Sequence, residues 1–485
     1  MHIYFLGICG TAMGNAALLM RELGHEVSGA DTGIYPPMST QLRKAGVEIL
    51  EGWDAARLKR LAPDLVVVGN ATSRGNPEVE WLLEARAVRY VSLPELLRKE
   101  VLGRRRNIVV AGTHGKTTTT CIAATLLRDN GGNPGWFVGG VPRDLPGGAA
   151  PGEEDSPFVI EGDEYDTAFF DKRSKFIQYE PAVFAINNIE FDHADIFRDL
   201  ADIERTFIHG TRLVPRNGAI VANGDDSVVE RVVGGVTWCP VVRVGIGEHC
   251  DVRIVDFREG PDGAAFTLLW RGAVWAKVRW ALPGLFNARN AAMGATAAAL
   301  LLRPRDPSQL RLDILAGFQG AKRRQERLVA TPKVTVLEDF GHHPTAIAST
   351  LEALRLRYPN HHIHAAFEPR SNTAVRALLQ DAFVAALAIA DSIWLAPVHR
   401  GEKRPPEDRL NTKEMAEELV SRNRTAEFAT SNKALLEMLR AAVDKASRKN
   451  PHLVVFFSNG SFDGIVSKFS DAINALPQTS LELGV

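Results

Sequence analysis

Short, nearly continuous apolar runs recur along the chain, and most are followed by a longer segment with helical spacing. The clearest are HIYFLGI (2–8), NIVVAG (107–112), FVIEGD (158–163), VFAINN (183–188), VTVLEDF (334–340), IHAAF (363–367), SIWLAP (392–397) and LVVFFS (453–458). A strand that is apolar at successive positions buries both faces, which happens when helices cover both sides of a parallel sheet. The pattern therefore calls for repeated α/β units, with no internal repeat and no low-complexity tract. At 485 residues, and roughly 100–200 residues per domain, about three such units are expected. Two breaks divide them. LLRKEVLGRRR (96–106) is a charged stretch that ends just before a strand, and GFQGAKRRQER (317–327) is rich in Gly and Arg and also precedes one. The segment 223–282 carries more short β-like runs than its surroundings and is expected to add a small antiparallel appendage to the middle unit.

Composition narrows the functional classes. Apolar residues make up 45% and charged residues 24%, which excludes a disordered chain. Lys and Arg number 57 against 58 Asp and Glu, a balance that argues against a dedicated nucleic-acid binder or a basic membrane-surface protein. Cys9, Cys121, Cys239 and Cys250 are far apart, with no CxxC pair, and read as thiols of a reducing compartment rather than as disulfides or a zinc site. The uncharged run Ala291–Leu302 is too short to span a bilayer. The N-terminus lacks a basic flank and is broken by Gly7, Gly10, Gly14 and Asn15, unlike a secretion signal. A cytoplasmic protein with neither membrane nor nucleic-acid partner, and with no obligatory protein partner, is expected.

Gly112-Thr113-His114-Gly115-Lys116-Thr117-Thr118 follows the strand NIVVAG and opens the helical segment TTTTCIAATLLRDNG. This is a phosphate loop, shorter than GxxxxGK[ST]. Its glycines let backbone N–H groups approach phosphate oxygens, and the helix N-terminus adds positive potential. Lys116 supplies a mobile charge for the β- and γ-phosphates, and the Thr117 hydroxyl suits Mg²⁺. In FVIEGDEYD, Glu161 ends a strand at the carboxyl edge of the sheet, where it would face that loop. VFAINNIEFDHADIF runs from a strand into Asn187, Asn188, Glu190, Asp192 and His193. Polar groups gathered so densely at a strand end need partners if buried, which favours function over structure.

The N-terminal GICGTAMG places Gly7, Gly10 and Gly14 after the first strand, and Asp31 closes the second. The spacing is G-x-x-G-x-x-x-G, out of register with the dinucleotide fingerprint GxGxxG. It fits either a phosphate-bearing ligand at the first helix N-terminus or tight strand–helix packing, with Asp31 near a ribose or a backbone turn. A nicotinamide oxidoreductase would leave the phosphate loop unexplained. A simple phosphate-loop ATPase would leave the second glycine loop unexplained.

Taken in order, GTHGKTTTT, EGDEYD, NNIEFDH, GLFNARNAA and EDFGHHP resemble the motif series of the Mur ligases, the ATP-dependent amide-bond ligases of bacterial cell-wall synthesis. The resemblance covers essentially the whole chain. Within the family, GICGTAMG, YPPMST (35–40), FEPRSNT (367–373) and SNGSFDGI (458–465) most resemble the member that joins UDP-N-acetylmuramate to the recycled tripeptide L-alanyl-γ-D-glutamyl-meso-diaminopimelate. The alternative is its relative that adds L-alanine to the same UDP-sugar.

The resemblance implies a UDP-sugar-binding domain at 1–105, an ATP-binding domain at 106–322 and a lid at 323–485. It implies ATP and two Mg²⁺ as cofactors, with Thr117, Glu161 and His193 as metal ligands and Lys116, Glu161 and His193 as the catalytic set. Gly112, Thr113, His114, Gly115, Lys116, Thr117 and Thr118 would hold phosphates. Asn287 and Asn290 fall where the family holds adenine, and Arg324, Asp339 and His343 where the third domain meets the nucleotide. Gly7, Cys9, Gly10, Thr11 and Asp31 would bind the UDP-sugar. Arg370, Asn372, Asn459 and Ser461, at strand ends of the third domain, would read the peptide. Two features depart from the family pattern. Phe286 replaces a common His, and the absence of Lys between Lys175 and Lys277 removes the carbamylated lysine of several relatives.

Overall fold

The computed structural model describes residues 1–475, and the last ten residues of the expected third unit lie outside them. Three large sheets succeed one another along the chain. The first has five parallel strands, ordered Glu48–Glu51, Glu26–Asp31, His2–Leu6, Leu65–Val68 and Arg89–Ser92. The chain runs from the central strand His2–Leu6 outward on one side to Glu48–Glu51, then crosses to Leu65–Val68 and runs outward on the other. The carboxyl end of that central strand, where the loop Gly7–Gly10 enters helix Thr11–Glu22, is therefore a topological switch point of the kind where ligands bind.

The second sheet has ten strands. At its centre Asn107–Ala111 lies between Phe158–Gly162 and Pro181–Ile186, all parallel. This explains the apolar runs: Asn107–Ala111 is buried at all five positions. The antiparallel strands Val252–Gly260, Gly263–Trp270 and Ala273–Trp280 are present as expected. They form no separate appendage, because the pairings Val244↔Val252 and Gly245↔Arg253 splice them onto the parallel sheet.

Helix Leu285–Leu302 contains the uncharged run Ala291–Leu302 and lies buried against helix Lys116–Asp129. Small residues allow that contact. A Cβ on Gly294 would sit 2.9 Å from Ile122 and 3.0 Å from the carbonyl oxygen of Thr119. A backbone carbonyl cannot step aside, so Gly294→Ala should cost about 1–3 kcal/mol by overpacking. No helix among the described residues is long and apolar enough to cross a membrane.

The third sheet has six strands, ordered Glu326–Ala330, Val334–Asp339, His452–Phe457, His362–Phe367, Ser392–Leu395 and Thr425–Phe428, with only the first antiparallel. The carboxyl ends of its central strands face the phosphate loop. Residues from all three regions line one cleft of about 1520 Å³.

Candidate active site

The phosphate loop is held from below by the next strand. Gly112 adopts φ +134°, and a Cβ there would meet the Asn188 backbone at 2.9–3.0 Å, so only glycine fits. The Asn188 side chain accepts from the His114 N–H (2.7 Å) and donates to its carbonyl (3.2 Å), fixing the loop's turn. At Gly115, φ +78°, a side chain would run into Asn187 and Asn290. Asn290 reaches over from helix Leu285–Leu302, accepting from Thr119 Oγ1 at 3.3 Å and donating to Asn287 at 3.2 Å. Asn287 in turn donates to Gln325 of the third region at 3.1 Å. Both asparagines line the cleft and also brace the loop from behind.

Three carboxylates and three cations face one another where the loop enters its helix. Thr117 Oγ1 donates to Glu161 (2.8 Å) and accepts from Arg324 Nη2 (3.2 Å), so one hydroxyl joins the middle and third regions. The other oxygen of Glu161 takes the Gly139 N–H at 2.8 Å. Burial, reinforced by neighbouring Asp163, pushes the Glu161 carboxyl above its ordinary range. Lys116 pairs with Glu164 at 2.7 Å rather than with Glu161. Burial opposes the lysine's charge, but Glu164 and Asp163 outweigh it and raise its pKa. His193 Nε2 lies 3.3 Å from the other oxygen of Glu164. Lys175 reaches Asp163 at 2.9 Å and sits over the Tyr165 ring at 4.0 Å. Arg324 stacks on Phe340, 4.6 Å from the ring centre.

Among the expected nucleotide residues, Thr113, His114, Gly115, Lys116, Thr117, Thr118, Asn287, Asn290, Arg324 and Asp339 line the cleft, as do Glu161 and His193. Gly112 lies beneath the loop. Asp339 is 3% exposed and spends its oxygens on the backbone N–H groups of Gln325 (2.9 Å) and Gly341 (2.6 Å). It shapes the Arg324–Gln325 turn. His343 departs from expectation: it does not line the cleft. Its ring turns inward, Nδ1 3.3 Å from Glu190, because the helix Pro344–Arg357 starts immediately after it and buries it against the middle region. Burial, then the nearby His114, pushes its pKa down to about 4.

Of the residues expected to bind the UDP-sugar, only Thr11 lines the cleft. Gly7, Cys9, Gly10 and Asp31 stand behind it. Of the two roles weighed for Asp31, the backbone turn is the one observed, since its oxygens accept from Cys9 N and Gly33 N, each at 2.8 Å.

In the third region Arg370, Asn372 and Asn459 line the cleft. Ser461 does not: it is exposed at the start of the turn before helix Ile465–Ala475, because the chain reverses at Gly460 beneath the Arg370 side chain. Glu368 Oε1 lies 3.8 Å from Arg370, too far for a hydrogen bond, and its Oε2 accepts from Ser458 Oγ at 2.6 Å. Arg370 Nη1 and Asn459 Oδ1 are both buried without a partner. Asn372 donates to Asp195 of the middle region at 2.8 Å.

Several site residues escaped the sequence reading. Asp163 and Glu164 stand in the EGDEYD run from which only Glu161 was singled out. Arg400, Lys403 and Arg404 line the cleft from HRGEKRPP (399–406), a basic loop directly after a buried strand, which is the signal that would have found them.

The chain matches three family descriptions in succession: "Mur ligase family, catalytic domain" over residues 2–105, "Mur ligase middle domain" over 110–299 and "Mur ligase, glutamate ligase domain" over 323–460. It is 40% identical to the UDP-N-acetylmuramate–L-alanyl-γ-D-glutamyl-meso-2,6-diaminoheptandioate ligase of Escherichia coli (strain K12), covering 98% of each chain. Identity to the UDP-N-acetylmuramate–L-alanine ligase of Cupriavidus taiwanensis is 33%, over 83% of this chain and 84% of the other. The crystal structure of a murein peptide ligase from Psychrobacter arcticus 273-4 superposes with a TM-score of 0.71 at 35% identity, covering 98% of this chain and 99% of that one. With all three sheets matched in order and a full-length relative at this identity, the chain belongs to the Mur ligase family.

Proposed function

We infer that the chain is an ATP-dependent ligase. It forms an amide between the carboxylate of UDP-N-acetylmuramate and the L-alanine amine of L-alanyl-γ-D-glutamyl-meso-diaminopimelate, releasing ADP and phosphate, in cytoplasmic peptidoglycan recycling. The observation that carries this reading is the single cleft that joins a phosphate loop, bridged to the third region through Thr117 and Arg324, to a cationic wall of Arg370, Arg400, Lys403 and Arg404. A nucleotide at one end and a substrate with several carboxylates at the other satisfy both sets of charges. The tripeptide is preferred to free L-alanine because similarity to the tripeptide ligase runs the full length of both chains.

Residues 1–105 are proposed to hold the UDP-sugar, with Thr11 at the helix N-terminus nearest the cleft. Residues 106–322 hold ATP, and the region from 323 closes on both. A carboxylate does not react with amines, so it is first phosphorylated by ATP. The amine then attacks the acyl carbon, loses its proton, and phosphate departs with the electrons of the C–O bond. The chain's own work is positioning and charge. Lys116 neutralises the transferring phosphoryl group, and Arg324 adds a second charge only when the third region is docked. The donor set fits Mg²⁺, since the Thr117 hydroxyl and Glu161 carboxylate are hard oxygen ligands converging at the loop. Glu164, whose Oε1 is buried without a hydrogen-bond partner, stands with His193 for a second ion. When bound, Mg²⁺ supplies further charge neutralisation at the phosphates.

The deciding experiment is phosphate release with UDP-N-acetylmuramate and ATP, comparing the tripeptide with L-alanine. Faster turnover with L-alanine would reassign the amine donor, and turnover without the UDP-sugar would reject the ligase reading.

A further inference from the structure

Beside the phosphate loop, three elements bring together His114, Glu190 and His343. One ligand atom from each lies within 4.8 Å of the others, the one such group among the described residues. Glu190 Oε2 is 3.3 Å from His343 Nδ1 and 3.7 Å from His114 Nε2. His343 Nε2 lies 3.3 Å from the Phe191 carbonyl. A carbonyl only accepts, so Nε2 carries the hydrogen of the neutral ring and Nδ1 presents a bare lone pair to a carboxylate. Both His343 Nδ1 and His114 Nε2 are buried without a hydrogen-bond partner. A bare ring nitrogen aimed at a carboxylate in a buried place is costly unless something positive lies between them.

We propose that His114 Nε2, His343 Nδ1 and Glu190 Oε2 form a binding site for a borderline divalent cation of the Zn²⁺ class, separate from the Thr117–Glu161 pair. Two imidazoles and one carboxylate with a fourth position open are a zinc donor set, whereas Mg²⁺ demands oxygens in octahedral array. With bonds of about 2.0–2.2 Å, ligand atoms of a tetrahedral site lie ~3.4 Å apart. The contacts of Glu190 to the two rings, at 3.3 and 3.7 Å, are already near that value. The outer partners are in place too. The Phe191 carbonyl orients His343, Thr345 Oγ1 donates to Glu190 at 2.6 Å, and Asn188 clamps the His114 backbone. Glu190 and His114 are partly exposed, which leaves a path from the cleft. The ion would pin the third region to the phosphate loop, acting as a clasp on the closed cleft and slowing the opening that product release requires.

The test is a titration of the full-length protein with CoCl₂ in excess MgCl₂ and without nucleotide, followed by visible absorption. The expected result is one equivalent of Co²⁺ with intense tetrahedral d–d bands, displaced by ZnCl₂. Glu190→Gln keeps the shape of the site and the Thr345 contact, and His343→Ala removes a ligand. Each should weaken Co²⁺ binding by more than about 100-fold, beyond the effect of losing an outer partner. His193→Ala should retain the bands. Absence of the bands in wild type, their survival in Glu190→Gln, or their loss in His193→Ala would overturn the proposal. Because no ligase substrate enters the titration, its outcome is independent of the tripeptide assay.

Discussion

Two loops in this molecule have the same local plan and different chemistry. Gly7–Gly10 and Gly112–Gly115 each leave a buried parallel strand and enter a helix; the first turns on one glycine at positive φ, Gly7, and the second on two, Gly112 and Gly115. At the first, the polar contacts are largely internal. Gly7 N and Ile8 N both donate to the Ala30 carbonyl, at 2.9 and 3.2 Å, and Asp31 takes Cys9 N. Side chains from Glu161, Glu164, Asn188, Asn290 and Arg324 converge on the second. A strand–glycine–helix turn thus provides an anion seat wherever it occurs. Transfer chemistry needs charges brought by neighbouring elements, and only the middle sheet, covered by the third region, brings them.

The sharpest way to break this contrast is to remove the one lysine of the second loop. Lys116→Ala should lower kcat by about 3–5 kcal/mol in ΔG‡, measured as phosphate release. It also leaves Glu164, with a 3% exposed side chain, without its ammonium partner. The variant should therefore melt at a lower temperature than wild type, and adding Glu164→Gln should recover part of that loss. Near-normal turnover by a folded Lys116→Ala protein would remove the distinction between the loops.

Next in size is Arg324→Ala, which tests whether the third region contributes to the loop. Loss of the Arg324 contact should cost on the order of 2 kcal/mol in kcat/KM for ATP, the range for a hydrogen bond to a charged group. Binding of UDP-N-acetylmuramate, measured by calorimetry, should be unchanged. If Arg324→Ala leaves ATP kinetics intact, the loop works without the third region and the cleft does not need to close.

A smaller effect is expected at the peptide wall. Arg370→Lys keeps charge but loses the planar fork, so apparent affinity for the tripeptide should fall by about 1 kcal/mol while ATP and UDP-sugar constants hold. Unchanged tripeptide affinity would move peptide recognition to Arg400, Lys403 and Arg404. The smallest effect belongs to the first loop. Asp31→Asn keeps the acceptor for either Cys9 or Gly33 but not both, and should weaken UDP-N-acetylmuramate binding by no more than about 1 kcal/mol. A loss comparable with that of Lys116→Ala would show that the first loop depends on charge after all.

What the amino-acid sequence determined by itself was whatever depends on near neighbours. The apolar runs fixed the strands because a both-sides-buried strand has no other composition. Gly112, Gly115, Lys116 and Thr117 were legible because a strand, a turn and a helix N-terminus lie within a dozen residues. The order of five motifs carried the family. The tertiary structure decided what depends on where a chain goes after a strand ends, since the alternation of side chains stops there. It gave Lys116 to Glu164, spent Asp339 and Asp31 on backbone N–H groups, and turned Ser461 outward and His343 inward. It also joined three antiparallel strands to the middle sheet through two residue pairs, and brought Arg400, Lys403 and Arg404 into the same cleft as the phosphate loop. Apart from the local turns of Asp31 with Gly33 and Asp339 with Gly341, these pairings join residues distant along the chain, selected by how buried charges and hydrogen-bonding groups find partners. Such satisfaction is a property of the packed molecule, and spacing along the chain does not encode it.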